Sequence, residues 1–329
     1  LPGQIVRDGF AWQKANTLLN NNGFNLECMD QQKKANALRW AAEKGLKNVV
    51  FVLLDTKDGI KAVVNWKDDI GKTALHYASA YGYASIAVSL LQNGADIETK
   101  AACSMNSLHL AAHYNEAEVV KVLLDNGADN NSKTDDGKIA LYYAVGRNSM
   151  TVVQLMISRN ANIEATCEKK WTPIFWGCKK GRVDAIKLLL QHGANIMARD
   201  VDGKTPLHWA AWYGQVGLVQ LFLEHGAEVA AQGISGGDSL RSATINGHLN
   251  IVLVLLSYGA SSGLKHNSGR STLHEAAKRG NLSIVHLLVE AGANVWSVDK
   301  RGYTAIDVAL ENNRDAVYKY LSANSGMQR

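Results

Sequence analysis

A four-residue pattern returns along this chain every 33 residues, and that period limits the fold more than any other feature. Thr73-Ala74-Leu75-His76 is followed, at that spacing, by Asn106-Ser107-Leu108-His109, Ile139-Ala140-Leu141-Tyr142, Thr172-Pro173-Ile174-Phe175, Thr205-Pro206-Leu207-His208, Asp238-Ser239-Leu240-Arg241, Ser271-Thr272-Leu273-His274 and Thr304-Ala305-Ile306-Asp307. A second marker keeps the same beat, from Gly94-Ala95-Asp96 and Gly127-Ala128-Asp129 through Gly226-Ala227-Glu228 to Gly292-Ala293-Asn294. A unit of this length cannot enclose a core alone, so such a chain must stack like units, each burying its apolar side against the next.

Within one unit the local signals read as two helices and a projecting loop. Thr205 and Pro206 open the first helix, and Leu207, Ala210 and Ala211 give it a slim apolar side that lets a neighbour approach closely. Val219, Leu221, Phe222 and Leu223 supply the core face of the second, and Gly226 ends it where a left-handed residue is wanted. The polar stretch that follows reads as a hairpin, with Asp202-Gly203 at the tip in this register. The material suffices: 47% of the 329 residues are hydrophobic, 20% are charged and three are Pro, which argues against disorder.

The ends differ from the middle. An earlier copy at Asn36-Ala37-Leu38-Arg39 lies 37 residues before Thr73, which places about four extra residues in the 55–66 loop. Leu18 to Asn25 resembles the back half of a further unit, and Glu311 to Asp315 gives the last one a polar, cap-like character.

The T-P-L-H-x-A signature, seen in Thr205-Pro206-Leu207-His208-Trp209-Ala210, resembles the ankyrin-repeat family, and eight in-phase copies extend that resemblance over nearly the whole chain. It implies an all-α repeat solenoid, in which ankyrin repeats of paired antiparallel helices with projecting β-hairpin loops stack in a curved array. It also implies one ankyrin-repeat domain over 1–329: a partial N-terminal repeat at 1–35, repeats at 36–303 and a C-terminal capping repeat at 304–329. The implied function is protein–protein interaction without enzymatic activity, because no convergent acid, base and nucleophile set can be named.

Ankyrin proteins present the residue just before the Thr slot, and those four, seven and eight after it, towards a concave binding surface. Four after lie Trp40, Tyr77, Tyr143, Trp176 and Trp209; seven and eight after lie Tyr81, Tyr114, Arg147, Lys179, Lys180, Trp212 and Tyr213; just before lies Trp171. Aromatic residues make up only 7% of the chain, so their return in these slots marks candidate interface anchors. Slot-four residues of ankyrin repeats also serve as groove-floor packing, and both uses are open to each ring.

The stretch Lys170-Trp171-Thr172-Pro173-Ile174-Phe175-Trp176, followed by Leu207-His208-Trp209-Ala210-Ala211-Trp212-Tyr213, is similar to the methyl-lysine cage of the ankyrin domains of euchromatic histone-lysine methyltransferases. That resemblance implies cage walls at Trp171, Trp176 and Trp209, fit for a methylated ammonium. Lys179 stands where that family has an acidic residue. Lys138, Arg147, Lys169, Lys170, Lys179, Lys180 and Arg182 lie beside the same rings, which equally suits an acidic peptide or a phosphorylated or nucleotide-like ligand.

Other chemistry is not indicated. His76, His109, His208 and His274 recur in register, as scaffold histidines of a stack do. Cys28, Cys103, Cys167 and Cys178 form no metal or disulfide spacing, so no metal or other cofactor is expected and a reducing cytoplasmic or nuclear setting fits. A formal charge of +5 does not call for nucleic acid, and no apolar stretch is long enough to cross a membrane. A monomer is expected. The chain opens on Leu1-Pro2-Gly3-Gln4, as an excised domain or a trimmed product would. Three glycines and Arg241 in the 232–244 repeat leave open a hinge, a close ligand approach or plain divergence.

Overall fold

A computed structural model describes residues 14, 17–23, 29–55 and 63–324. The Phe24-Asn25 end of the partial first repeat, Cys28 and most of the extra residues of the 55–66 loop lie outside the described residues. The chain divides into two compact units, Leu1–Glu168 and Lys169–Arg329.

In the first unit, residues 17–21 are helical. Four helix pairs follow: α1 (Gln31–Glu43) with α2 (Lys47–Leu54), α3 (Ala74–Ala80) with α4 (Ala84–Gln92), α5 (Ser107–Tyr114) with α6 (Ala117–Asp125), and α7 (Ala140–Arg147) with α8 (Met150–Ser158). The second unit holds five more: α9 (Pro173–Lys180) with α10 (Val183–Gln191), α11 (Pro206–Trp212) with α12 (Val216–Glu224), α13 (Ser239–Ile245) with α14 (Leu249–Ser257), α15 (Thr272–Arg279) with α16 (Leu282–Glu290), and α17 (Ala305–Glu311) with α18 (Asp315–Asn324). Within each unit every first helix packs on the next first helix, and every second helix on the next second helix. The core is therefore a strip of recurring small and branched side chains, such as Leu75, Ala78, Ile86 and Leu90 in one unit and Leu207, Ala211, Val219 and Phe222 in the other, all essentially inaccessible to water. Each fully buried Leu, Val or Phe contributes about 1.5–3 kcal/mol.

The recurring Thr and His start the first helices and tie them together. Thr73, Thr205 and Ser271 cap α3, α11 and α15, and in each box the histidine Nδ1 accepts the cap residue's own amide at 3.1 Å. That leaves Nε2 as the protonated nitrogen, directed at a carbonyl of the following repeat: His76 to Met105 at 3.3 Å, His109 to Lys138 at 3.3 Å, His208 to Gly237 at 3.1 Å and His274 to Tyr303 at 2.9 Å. Burial pushes His76, His109 and His208 down to about 4, and lowers His274 as well, so these rings are neutral struts.

The projecting loops are hairpins with arms too short to form strands. They close on bonds such as Asp68 N–H to the Lys72 carbonyl (2.9 Å) or Asp200 N–H to the Lys204 carbonyl (3.0 Å), and strand pairing among the described residues is one antiparallel bridge, Lys265 with Ser271. Successive tips are joined by backbone bonds. Ala102 donates to Ile70, Asp135 to Cys103 and Glu168 to Asp136 in the first unit; Val201 donates to Lys169, Ile234 to Asp202, Asn267 to Ser235 and Lys300 to Ser268 in the second. The glycine-rich repeat around 232–244 keeps both its closing bond (Gly233 to Gly237, 2.9 Å) and its link to the preceding tip (2.8 Å), so no break in the ladder falls there. Arg241, standing in the histidine slot, bonds Glu275 of the next repeat at 2.7 Å with both side chains largely buried.

Candidate binding surface

A helical period places residues four, seven and eight after the cap on one face. On α11 these are Trp209, Trp212 and Tyr213, since Thr205 caps the helix and Pro206 begins it. Trp209 is half-buried, and its indole N–H donates to Asp200 Oδ2 at 2.8 Å. Asp200 is buried, and its other oxygen accepts the amides of Asp202 (2.9 Å) and Lys204 (2.8 Å), so one carboxylate sets both the loop and the ring. Lys204 Nζ lies 5.0 Å from the Trp209 ring centre and 5.7 Å from that of Trp212. Tyr213 stacks on Trp209 (5.6 Å, 23°), while Trp212 meets it nearly edge-on (6.4 Å, 64°) and is 37% exposed.

The preceding repeat continues the cluster. Trp171 stands edge-on to Trp209 at 5.0 Å, stacks on Phe175 at 6.0 Å and lies 6.4 Å from Trp176. Trp171, expected as a contact residue, is only 6% exposed. Phe175 occupies the slot that elsewhere holds a hydrogen-bonding histidine and offers a flat apolar seat, so Trp171 packs down on it and supports its neighbours. Trp176 is half-buried, with Lys179 Nζ at 5.2 Å and Lys180 Nζ at 5.5 Å from its ring centre; Lys169 Nζ is 5.8 Å from that of Trp171. Lys179 and Lys180 are both exposed.

The same slots in the first unit give a different surface. Tyr77 donates its hydroxyl to Asp68 Oδ2 at 2.6 Å, with Lys72 Nζ 5.4 Å from its ring centre. Burial and that bond push Tyr77 up to about 12; Asp68 is raised by burial but more strongly lowered by Tyr77 and the Lys72 and Ile70 amides, and ends below the ordinary carboxylate range. Tyr81 is exposed and stacks on Tyr83 at 6.3 Å. Tyr114, also exposed, meets His113 edge-on at 4.9 Å; Tyr143 lies 5.7 Å from His113, and Arg147 Nη2 donates to His113 Nε2 at 2.8 Å. Burial, then the Arg147 charge, lowers His113, which suits its role as an acceptor. Trp40 is half-buried on α1.

The slots therefore gather into a tyrosine and histidine group on one unit and a tryptophan and lysine group on the other. Two residues that anchor these rings are missing from the sequence-based candidates, Asp68 and Asp200. A signal was present: each lies nine residues before an aromatic donor, in Asp68…Tyr77 and Asp200…Trp209. Among the described residues no group of three His, Cys, Asp or Glu is placed to hold a metal ion, and no helix is long and apolar enough to cross a membrane.

Helix pairs in register, stapled by neutral histidines and carrying aromatic side chains on the first helices from α1 to α11, define a repeat-built binding scaffold. The chain belongs to the ankyrin-repeat family, whose model matches residues 5–101, 108–200, 159–233 and 239–328. Members of this family are generally protein–protein interaction modules and typically not enzymes. No curated protein matches the sequence.

Proposed function

We propose that this protein is a non-enzymatic binding module that takes a segment of another protein on the first-helix face of Lys169–Arg329, with Trp212 and Tyr213 as anchors and Trp176 and Trp209 beneath them. One observation carries the reading. Trp212 keeps 37% of its surface in water although a packed aromatic neighbour lies beside it, and a large ring held rigid but left wet is what hot spots are made of. Lys179 and Lys180 form the rim.

Weighing against a methyl-lysine or other cationic guest are the lysines at the rings: Lys169, Lys179, Lys180 and Lys204 already set their ammonium groups about 5–6 Å from the ring centres, where a bound cation would meet like charge.

The test is a titration of captured partners against Trp212→Ala/Tyr213→Ala, with Tyr114→Ala on the other unit as a matched exposed-ring control. The double variant is expected to lose about 2 kcal/mol, roughly 30-fold in Kd, while the control binds as the parent does. Equal binding by the parent and the double variant defeats the proposal.

A further inference from the structure

The docking reading above leaves the chemistry of the occupant open, and the loop tips of the second unit speak to it. At the second residue before each of these caps the backbone is left-handed, and Gly71, Gly137, Gly203, Gly236, Gly269 and Gly302 fill that slot with φ between 72° and 79°. Residue 170 is the lysine in the series, at φ 54°, a conformation in which an L side chain is strained. Its side chain is exposed, beside Lys169. Among the described residues Lys169, Lys170, Lys179 and Lys180 form no ion pair with a carboxylate, whereas Lys204 has Asp202 at 3.8 Å. Three of these ammonium groups lie within 6 Å of the Trp171 and Trp176 ring centres, and the fourth stands on strained backbone next in sequence to Trp171, with no carboxylate paired to any of them among the described residues.

Resting on the docking reading, we propose that the segment received on this face is an acidic stretch of another protein, its carboxylates meeting Lys169, Lys170, Lys179 and Lys180 while an apolar side chain lies against Trp212. Charge complementarity selects it: the uncovered groups are cations, and Trp212, the exposed tryptophan of this ring cluster, supplies the apolar contact. Nucleic acid fits less well. Base stacking needs free ring faces, yet Trp209 and Tyr213 stack on each other and Trp171 on Phe175. The chain as a whole carries only +5.

Fluorescence anisotropy on the full chain tests this with a labelled peptide of Glu and Asp carrying two Leu residues. The counterprobes are the same peptide with Lys for every acid and a single-stranded oligothymidine. Binding of the acidic peptide is expected to weaken about tenfold in Lys179→Ser/Lys180→Ser and about twofold to fivefold in Lys170→Gly, and to fall with added salt. Lys170→Gly is expected to melt higher than the parent while binding less well, a combination that damage to the fold cannot produce. Lys278→Ser/Arg279→Ser removes two exposed cations from the equivalent slots of α15 and is expected to bind the peptide as the parent does. Equal loss in that control, equal binding of the lysine peptide, or tighter binding of the oligothymidine overturns the proposal. Partner capture that depends on Trp212 but not on the lysines also overturns it and leaves the docking reading standing. Peptide binding that needs the lysines but not Trp212 removes the aromatic anchor instead, and with it the docking reading.

Discussion

Each unit carries a copy of the same small device: an aromatic ring four residues after a helix cap, hydrogen-bonded to an aspartate in the loop and accompanied by a lysine. In the first unit the members are Tyr77, Asp68 and Lys72; in the second they are Trp209, Asp200 and Lys204. What differs is the company. Around Tyr143 the polar groups satisfy each other, Arg147 donating to His113, and the exposed Tyr114 belongs to that closed set. Around Trp209 four further rings are linked in a chain of contacts of 6.4 Å or less, and Lys169, Lys179 and Lys180 at their edge lack carboxylate partners among the described residues. A shared backbone geometry thus fixes where a side chain can stand, and the residues placed there decide whether the face is self-satisfied or open to a partner.

The largest contrast lies one slot earlier, three residues after the cap, where Tyr142 and Phe175 replace the histidine. Both are fully buried. Tyr142 reaches the Ala165 carbonyl at 2.7 Å, while Phe175 seats Trp171. Phe175→Ala is expected to cost about 3–5 kcal/mol, because it leaves a cavity beneath the ring cluster, and to shift the tryptophan emission of the folded state. Tyr142→Phe removes only a hydroxyl, orphaning one buried carbonyl at about 1–3 kcal/mol, with the tryptophan emission unmoved. Urea unfolding followed by fluorescence and circular dichroism measures both. An unshifted emission spectrum in Phe175→Ala breaks the claim that this residue holds the tryptophan face.

Acid tests the staples shared by the two units. The folded-state value of about 4 for His76, His109 and His208 lies below the ordinary 6.5, so between these values the unfolded chain takes up protons that the folded chain refuses. Their contribution is therefore complete above about pH 6.5 and is lost as the pH falls towards 4, at roughly 3 kcal/mol per ring if each is fully expressed. Melting is expected to drop steeply between pH 7 and 4.5. Hydrogen exchange should show early loss of protection around α3 and α5, where two such rings lie in successive repeats. His208→Asn is expected to lower stability at pH 7 yet flatten the acid slope in the second unit alone; a slope unchanged by this substitution would reject the strut role.

The repeat phase made the helices, their caps and the exposed slots legible, because each depends on residues within one unit: Thr205 for the cap, Leu207 for the core, Trp209 for the face. The aspartate partners were less visible. Asp200 reads as a turn former, and only the fold shows that the loop amides occupy one carboxylate oxygen and leave the other for the indole. The burial of Trp171 was hidden for a similar reason. Its slot holds Met105, Lys138 and Gly237 in other repeats, residues that reveal nothing about a large ring set over Phe175. Position along the repeat was readable, whereas contacts across repeats depend on which side chains happen to face each other.

The smallest expected effect compares two loop tips. Ser104 and Lys170 stand in the left-handed slot that glycine fills in the other described tips, at φ 55° and 54°. An L residue there costs about 1–2 kcal/mol, and glycine returns part of that gain as chain entropy, so Lys170→Gly is expected to stabilise by about 0.5–1 kcal/mol. Ser104→Gly relieves the same strain but deletes the hydroxyl that donates to the Asp135 carboxylate on the following tip, a bond worth about 0.5–1.5 kcal/mol, so its net effect is expected near zero or slightly unfavourable. Denaturation midpoints of the two variants decide the matter. A stabilised Lys170→Gly beside an unimproved Ser104→Gly means that the serine is retained for the fold, while the lysine is retained against the interest of the fold. If Lys170→Gly instead loses stability, the lysine makes an internal contact that outweighs its backbone strain, and the difference drawn between the two units no longer holds at this position.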